Sequence, residues 1–364
     1  MHTRRIALLC TLLALVVGLL AAPANASQPI TLSEYRLSQT TMDTLRSQWT
    51  DRVLAEHAEG AWAPMRMDLD DEQLALMGLP PKDVLLSRRY PTPTMLEADG
   101  TATPVPLPTV ATFAGTGFFG IRPGAWLLLM SGNSIGWCSA AHVYGAPGSY
   151  AISTAGHCGK AGDVATVIAA FGNQAGVLNP VLLDFGTFKS SRDGGVGNDW
   201  ALISVASQYQ SLVTPTMAFW GGPRGMYTAT GSVASVKFPR NGLIPQVTVT
   251  PDPFLAQDLV HYGHGTGVGP GGTPRSAVAT HWGSTHYMFF GAISPGDSGS
   301  GANTLTGDTV GATMEAAGIM THLYVDPLMR LGLGVMAGTR ATAVSGTLAN
   351  GQIVPYPVPV SGLP

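Results

Sequence analysis

The chain has 364 residues, of which only 11 % are charged, with a formal net charge of −3. Typical globular chains are about 25 % charged, and so little charge, on balance acidic, offers no basic surface for a nucleic-acid backbone. The 46 glycines and 27 prolines have no three-residue period, which excludes collagen and leaves many turns between short apolar runs, the texture of an all-β chain.

Residues 1–26 have the parts of a secretory signal. Arg4 and Arg5 give a positive start, Ile6 to Ala22 is apolar apart from Thr11 and Gly18, and Ala24-Asn25-Ala26 offers a small-residue cleavage site. The alternative, a retained membrane anchor, sits near the lower length limit for a span, and no later stretch is long and apolar enough for one. Removal of the signal takes Cys10 with it and leaves Cys138 and Cys158. An even pair in an exported chain predicts a disulfide, closing a loop of about 20 residues and worth roughly 3 kcal/mol on the chain-entropy model.

The next part is rich in charge. Residues 27–100 carry 12 acidic and 7 basic side chains, whereas residues 101–364 carry 10 of each. Met42, Leu45, Trp49 and Val53 recur at helical spacing and predict a helix over 41–58. A shorter helix is predicted over 70–77, stopped by Gly78 and Pro80-Pro81. Pro91, Pro93, Pro104, Pro106 and Pro108 then read as an extended, exposed linker. Residues 27–108 are accordingly read as a propeptide-like segment, with Arg88-Arg89 as a processing point. Residues 109–346 form the main domain and 347–364 a tail.

Strands are expected over 125–130, 149–154, 164–171, 181–188, 200–205, 233–238 and 247–250, with a turn at 131–134. Residues 325–336 fit either a strand or a terminal helix. Two lookalikes fall on context. Gly115-Thr116-Gly117-Phe118-Phe119-Gly120 matches the dinucleotide fingerprint letter for letter, but a proline-rich linker precedes it and Arg122-Pro123-Gly124 breaks any following helix. His264-Gly265-Thr266 is similar to the subtilisin histidine motif without a second motif to accompany it, and reads as a strand end.

The chemistry concentrates in three blocks. Gly296-Asp297-Ser298-Gly299 sets a serine among glycines, where backbone amides can converge on an oxyanion. A serine hydroxyl needs a base to become a nucleophile, and Thr154-Ala155-Gly156-His157-Cys158 supplies one. Asp199 opens the apolar run Trp200 to Val205 and can orient that base, although Asp184 and Asp193 compete for the role. Asp193 lies in the turn sequence Arg192-Asp193-Gly194-Gly195. Asp184, before a Phe-Gly pair, stays open.

Taken together the three blocks resemble the signatures of trypsin-like (chymotrypsin-fold) serine proteases, over about residues 110–345. The order His, Asp, Ser is that of this family and not of the α/β-hydrolases, and the paired cysteines match its disulfide beside the histidine. The resemblance implies two six-stranded antiparallel β-barrels after a helical extension. It implies a secreted endopeptidase in which Ser298 attacks, His157 moves the proton and Asp199 orients His157. The amides of Gly296 and Ser298 would form the oxyanion hole, and Asp297 would shape the turn. It further implies a monomer acting on a protein or peptide substrate, with no cofactor and no metal.

The sequence also departs from the pattern. Ser300 stands where a glycine is usual, and no Ile-Val-Gly-Gly start follows a basic residue, which leaves the activation route and the partner of Asp297 open. The other disulfides of animal members are missing, as in a compact bacterial-type variant. Ala292 occupies the position six before the nucleophile, where trypsin-like pockets carry an acid. A preference for small or apolar residues before the cut is therefore expected, with Glu315 placed near the pocket rim by the preceding strand. Two other readings share these residues: a catalytically silent binding protein of the same fold, and a secreted serine esterase.

Overall fold

A computed structural model describes residues 62–106 and 120–356, except 175–176, 218–219, 233, 238–245, 250–256, 266–272, 294, 307–312, 325–332 and 349. The expected signal, the helix over 41–58, the glycine-rich run at 115–119 and the end of the tail lie outside the described residues.

The leading segment is built as β1 (Trp62–Pro64), β2 (Met67–Asp68), α1 (Asp71–Leu76), α2 (Lys82–Leu86), β3 (Thr94–Leu96) and β4 (Ala102–Pro104). The expected short helix is α1. Its start is fixed by a capping box, in which the Gln73 amide donates to the Asp70 carboxylate at 2.8 Å and the Asp70 amide donates to Gln73 Oε1 at 2.9 Å. The proline-bearing stretch after it is extended, as expected, but residues 93–96 are buried rather than exposed. There β3 pairs with a barrel strand, Met95 opposite Val181 and Thr94 opposite Leu182.

The first barrel follows: β5 (Trp126–Ser131), β6 (Ser134–Ser139), β7 (Val143–Tyr144), β8 (Ala151–Thr154), β9 (Val164–Gln174), β10 (Val177–Asp193) and β11 (Asp199–Val205). Its pairings run β6–β5–β9–β10–β11–β8–β7, all antiparallel. β6 and β7 are two halves of one bent strand, since the Ala141 amide donates to Ser153 O and the Ser153 amide to His142 O. The ring thus closes with six strands, and closure removes free sheet edges.

Three short strands come next. β12 (Gly231–Ser232) pairs into the second sheet, and β13 (Ala234–Lys237) with β14 (Gln246–Val249) forms a separate hairpin. The second barrel comprises β15 (Gln257–Gly263), β16 (Thr273–Trp282), β17 (His286–Ala292), β18 (Gly301–Thr306), β19 (Thr313–Tyr324) and β20 (Leu333–Arg340). The path β19–β18–β15–β16–β17–β20 returns to β19, again a closed antiparallel ring of six. Of the stretch left open between strand and helix, residues 325–332 lie outside the described residues and 333–336 begin β20, which is followed by the short helix α3 (Ala341–Ser345). Among the described residues no helix is long and apolar enough to cross a membrane.

The run Trp126 to Met130 is continuously apolar because both of its faces are buried. Leu127 and Leu129 join the interior of the first barrel with Val167, Phe185 and Leu202. Trp126, Leu128 and Met130 belong to a second cluster, shared with Met65, Met67, Leu69, Leu74, Leu85 and Leu96 of the leading segment and with Phe289 and Met320 of the second barrel. The change in composition near residue 105 is therefore not a break in packing. The leading segment covers apolar strands that would otherwise face water.

Candidate active site

The site forms where the barrels meet. Ala201 of β11 pairs with Thr154 of β8, so Asp199, two residues before Ala201, comes level with the 3-10 turn Gly156–Cys158 that follows β8. That turn carries His157. Gly156 is the residue that permits this approach: a Cβ there would stand 1.7 Å from Arg192 O and 2.9 Å from Asp199 Oδ1. The Cys138–Cys158 disulfide ties the turn to β6, with the Cα atoms 6.3 Å apart.

Ser298 comes from the second barrel, in the loop between β17 and β18. Gly296 takes a φ of +96°, a region that favours glycine. The first barrel grips this loop through Ser139, whose amide donates to Ser298 O at 2.7 Å and whose hydroxyl donates to Gly296 O at 3.0 Å. A reciprocal clamp acts on the acid. Thr339 of β20 accepts from the Asp199 amide at 3.1 Å and donates to the Asp199 carbonyl at 2.8 Å.

These supports bring His157, Asp199 and Ser298 together. His157 Nδ1–H donates to Asp199 Oδ2 at 2.5 Å, the tautomer that a carboxylate partner requires. His157 Nε2 is then left to accept the hydrogen bond of the Ser298 hydroxyl. Asp199 Oδ1 accepts two amides, from Gly156 at 2.5 Å and from His157 at 3.0 Å. Burial pushes the Asp199 carboxyl up, but its pairing and hydrogen bonds with His157 outweigh it, and the net shift is downward. Asp199 thus stays ionised although fully buried.

Asp184 is engaged elsewhere. Asp184 accepts the Thr166 hydroxyl at 2.6 Å and the Tyr90 amide at 2.8 Å, holding the leading segment to the barrel. Asp193 pairs opposite Asp199 in the sheet but is exposed. Asp297, whose partner the sequence left open, is buried and bonded by both guanidinium nitrogens of Arg275, each at 2.5 Å, and by the Gly265 amide at 2.9 Å. Ser300 is also buried, its amide donating to Asp297 O at 2.8 Å.

Two residues of β19 escaped the sequence reading. The Thr321 carbonyl lies 3.5 Å from the Ser298 hydroxyl. His322 Nδ1 lies 2.9 Å from the Thr321 hydroxyl and 3.5 Å from Asp199 Oδ2, and its ring meets that of His157 edge-on at 5.9 Å. Burial pushes the His322 imidazole down to about 4, so it is neutral at pH 7. No spacing rule points to an unpatterned Thr-His pair inside a strand. Glu315 lies on the same strand, but six positions before Thr321, about 20 Å at strand rise, opposite Thr304. Ala292 ends β17, opposite Leu333, and leads into the Ser298 loop.

Metal-ligand groupings overlap this site. His157, Asp193 and Asp199 offer ligand atoms within 4.8 Å of one another, as do Cys138, His157 and Cys158. In the first group His157 and Asp199 already bond each other, and in the second the cysteines are joined. His264, the subtilisin lookalike, is buried just after β15, with its ring stacked on Trp126 at 5.0 Å.

No family model matches the chain, and no curated protein matches it. Several solved structures of serine proteases do. Thermobifida fusca protease A is 18 % identical, with a TM-score of 0.38, over 64 % of this chain and 98 % of its own. A glutamic-acid-specific serine protease, described as using a histidine triad in substrate binding, is 15 % identical with a TM-score of 0.34, over 64 % and 100 %. The thermostable serine protease AL20, from an extremophilic microorganism, is 16 % identical with a TM-score of 0.35, over 59 % and 89 %. The two closed six-stranded antiparallel rings are themselves the chymotrypsin-like architecture expected from the sequence.

Proposed function

We propose that this chain is a serine endopeptidase, exported from the cell, that hydrolyses peptide bonds through an acyl-enzyme. The observation that carries the reading is the double engagement of one imidazole, His157, by Asp199 on one nitrogen and Ser298 on the other. In this reading Ser298 Oγ attacks the carbonyl carbon, and His157 Nε2 takes its proton and later gives it to the leaving amine. Asp199 holds the tautomer and stabilises the imidazolium. The Gly296 and Ser298 amides receive the oxyanion, where losing one donor costs roughly 3–4 kcal/mol. Neutral His322 shields Asp199 without competing for the proton. The joined cysteines support export, since disulfides persist in oxidising compartments.

The test is labelling with a fluorophosphonate, which modifies activated serines, on the secreted protein and on Ser298→Ala. Label on the wild type alone is the expected result. A folded wild type that has shed its leading residues and still takes no label overturns the reading.

A further inference from the structure

The cleft above Ser298 is occupied by the chain itself. β1 lies antiparallel against β19, with Trp62 opposite Tyr324, Ala63 opposite Leu323 and Pro64 opposite His322. The next amide, that of Met65, donates to Thr321 O at 3.1 Å, and the Met65 carbonyl accepts from the Gly296 amide at 2.9 Å. Thr321 O is the same atom that stands 3.5 Å from the Ser298 hydroxyl. Beyond this point the chain changes barrels. Arg66 Nη1 donates to His157 O at 3.0 Å, and Met67 pairs opposite Trp137 of β6. An extended peptide is thus added to a sheet edge on one barrel and handed to the other. Its Met65–Arg66 bond falls at the junction, and its Met65 carbonyl lies on the amide assigned to the oxyanion. Ser298 is left 0 % exposed.

We infer that Met65–Arg66 is the first bond this protein cuts, and that residues 62–65 display its substrate class. The inference rests on the serine-hydrolase reading of Ser298. The substrate is an extended peptide with proline two residues before the cut and an unbranched apolar residue of methionine size directly before it. The Met65 side chain is 0 % exposed and belongs to the apolar cluster that also holds Trp137, Ile293 and Met320. A charged side chain at this position would lose its water without gaining a partner.

The step balances with water alone. Ser298 Oγ bonds to the Met65 carbonyl carbon, and its proton passes to His157 Nε2. The carbon–nitrogen bond to Arg66 breaks, and the proton goes to that nitrogen. Water then releases the Met65 carboxylate and restores the serine. Residues 66–106 stay in place, because Met67, Leu69, Leu74, Leu85 and Leu96 are buried in the body of the protein. The processing point is therefore Met65–Arg66 rather than Arg88-Arg89, where the Arg88 guanidinium is held by the Gly100 carbonyl at 2.7 Å.

The experiment follows the full chain and Ser298→Ala by intact mass and amino-terminal sequencing, with fluorophosphonate present. The expected result is a wild-type product beginning at Arg66, formed at a rate independent of protein concentration and carrying the label, while Ser298→Ala stays joined. The processed protein should then cleave a peptide amide ending in Ala-Pro-Met at least about tenfold faster, in kcat/KM, than one ending in Ala-Pro-Lys or Ala-Pro-Asp. Label on the uncut chain, a new terminus elsewhere, or no preference for methionine overturns the inference and leaves the function standing. If there is neither cut nor label, the inference falls, and Ala63→Asp, whose strand cannot settle against β19, decides the function: label on that variant preserves it, and no label removes it as well.

Discussion

Arg275 holds Asp297 with both terminal nitrogens of its guanidinium, in a place from which water is excluded. The acid next to the candidate nucleophile is thus neutralised from within the second barrel. Arg275 is thus the partner of Asp297 that the sequence left open. Replacing Arg275 by Met would leave a buried carboxylate without its cation, a change that costs about 3–5 kcal/mol in comparable pairs. Arg275→Met, compared with its parent by urea denaturation in the Ser298→Ala background, should lose stability on that order. Arg275→Lys, which cannot bind both oxygens in plane, should fall in between. An unchanged midpoint for Arg275→Met would show that the pair does not hold the turn.

Asp199 accepts two amides on one oxygen and the imidazole on the other. Asn at this position has one acceptor oxygen where two are used, and an amide group that would favour the wrong imidazole tautomer. Asp199→Asn should slow fluorophosphonate labelling of the processed protein by about 10⁴-fold. Asp193→Asn, altering an exposed neighbour on β10, should leave the rate nearly unchanged. Comparable losses in both variants would reopen the identity of the orienting acid.

The contrast between these two acids shows how far the sequence could be read. His157, Asp199 and Ser298 were legible because each sits in a short block whose glycines and apolar neighbours are dictated by close approach, as at Gly156. Strands β5 and β11 were legible because they are largely apolar runs. β16, with Thr273, Pro274, Arg275 and Ser276, and β18, with Gly301, Asn303 and Thr304, were not. Short barrel strands fed by small polar residues show no clean alternation. Thr321 and His322 were invisible for a related reason: their roles come from register across β19, and register is not a local property of sequence. In the linker, Pro91, Pro104 and Pro106 are exposed as expected, but residues 93–96 are buried, because prolines mark extension, not exposure. Only the pairing of β3 with β10 distinguishes the two.

Four imidazoles are buried and pushed down by loss of solvent: His142 and His322 to about 4, His261 and His264 to about 3. In the unfolded chain each would titrate near 6.5. Below that pH the unfolded state binds protons that the folded state refuses. The stability these groups allow is therefore fully present above pH 6.5 and lost as pH falls, with the loss levelling off only near the folded-state values. Each contributes about 1.4 kcal/mol per pH unit inside that window. Asp199, with its lowered value, adds a further loss below its unfolded value of 3.8. Urea midpoints of Ser298→Ala should drop steeply between pH 6 and 4.5. A flat profile there would mean that these rings take up protons in the folded protein.

The leading segment offers the last test, because its two parts should behave differently. Leu74 of α1 is 0 % exposed and shares a cluster with Leu128 and Trp137 of the first barrel. If residues 66–106 are part of the body, truncating that side chain should destabilise the processed protein as any core truncation does, by about 2–5 kcal/mol. If the whole segment before residue 109 were a detachable propeptide, Leu74→Ala would not alter the melting of the active form at all. Thermal unfolding of the processed protein, inactivated to prevent self-digestion, separates the two. A shift in Tm of several degrees, on the order expected for such a loss in a domain of this size, places the boundary before Arg66. An unchanged Tm places it after β4.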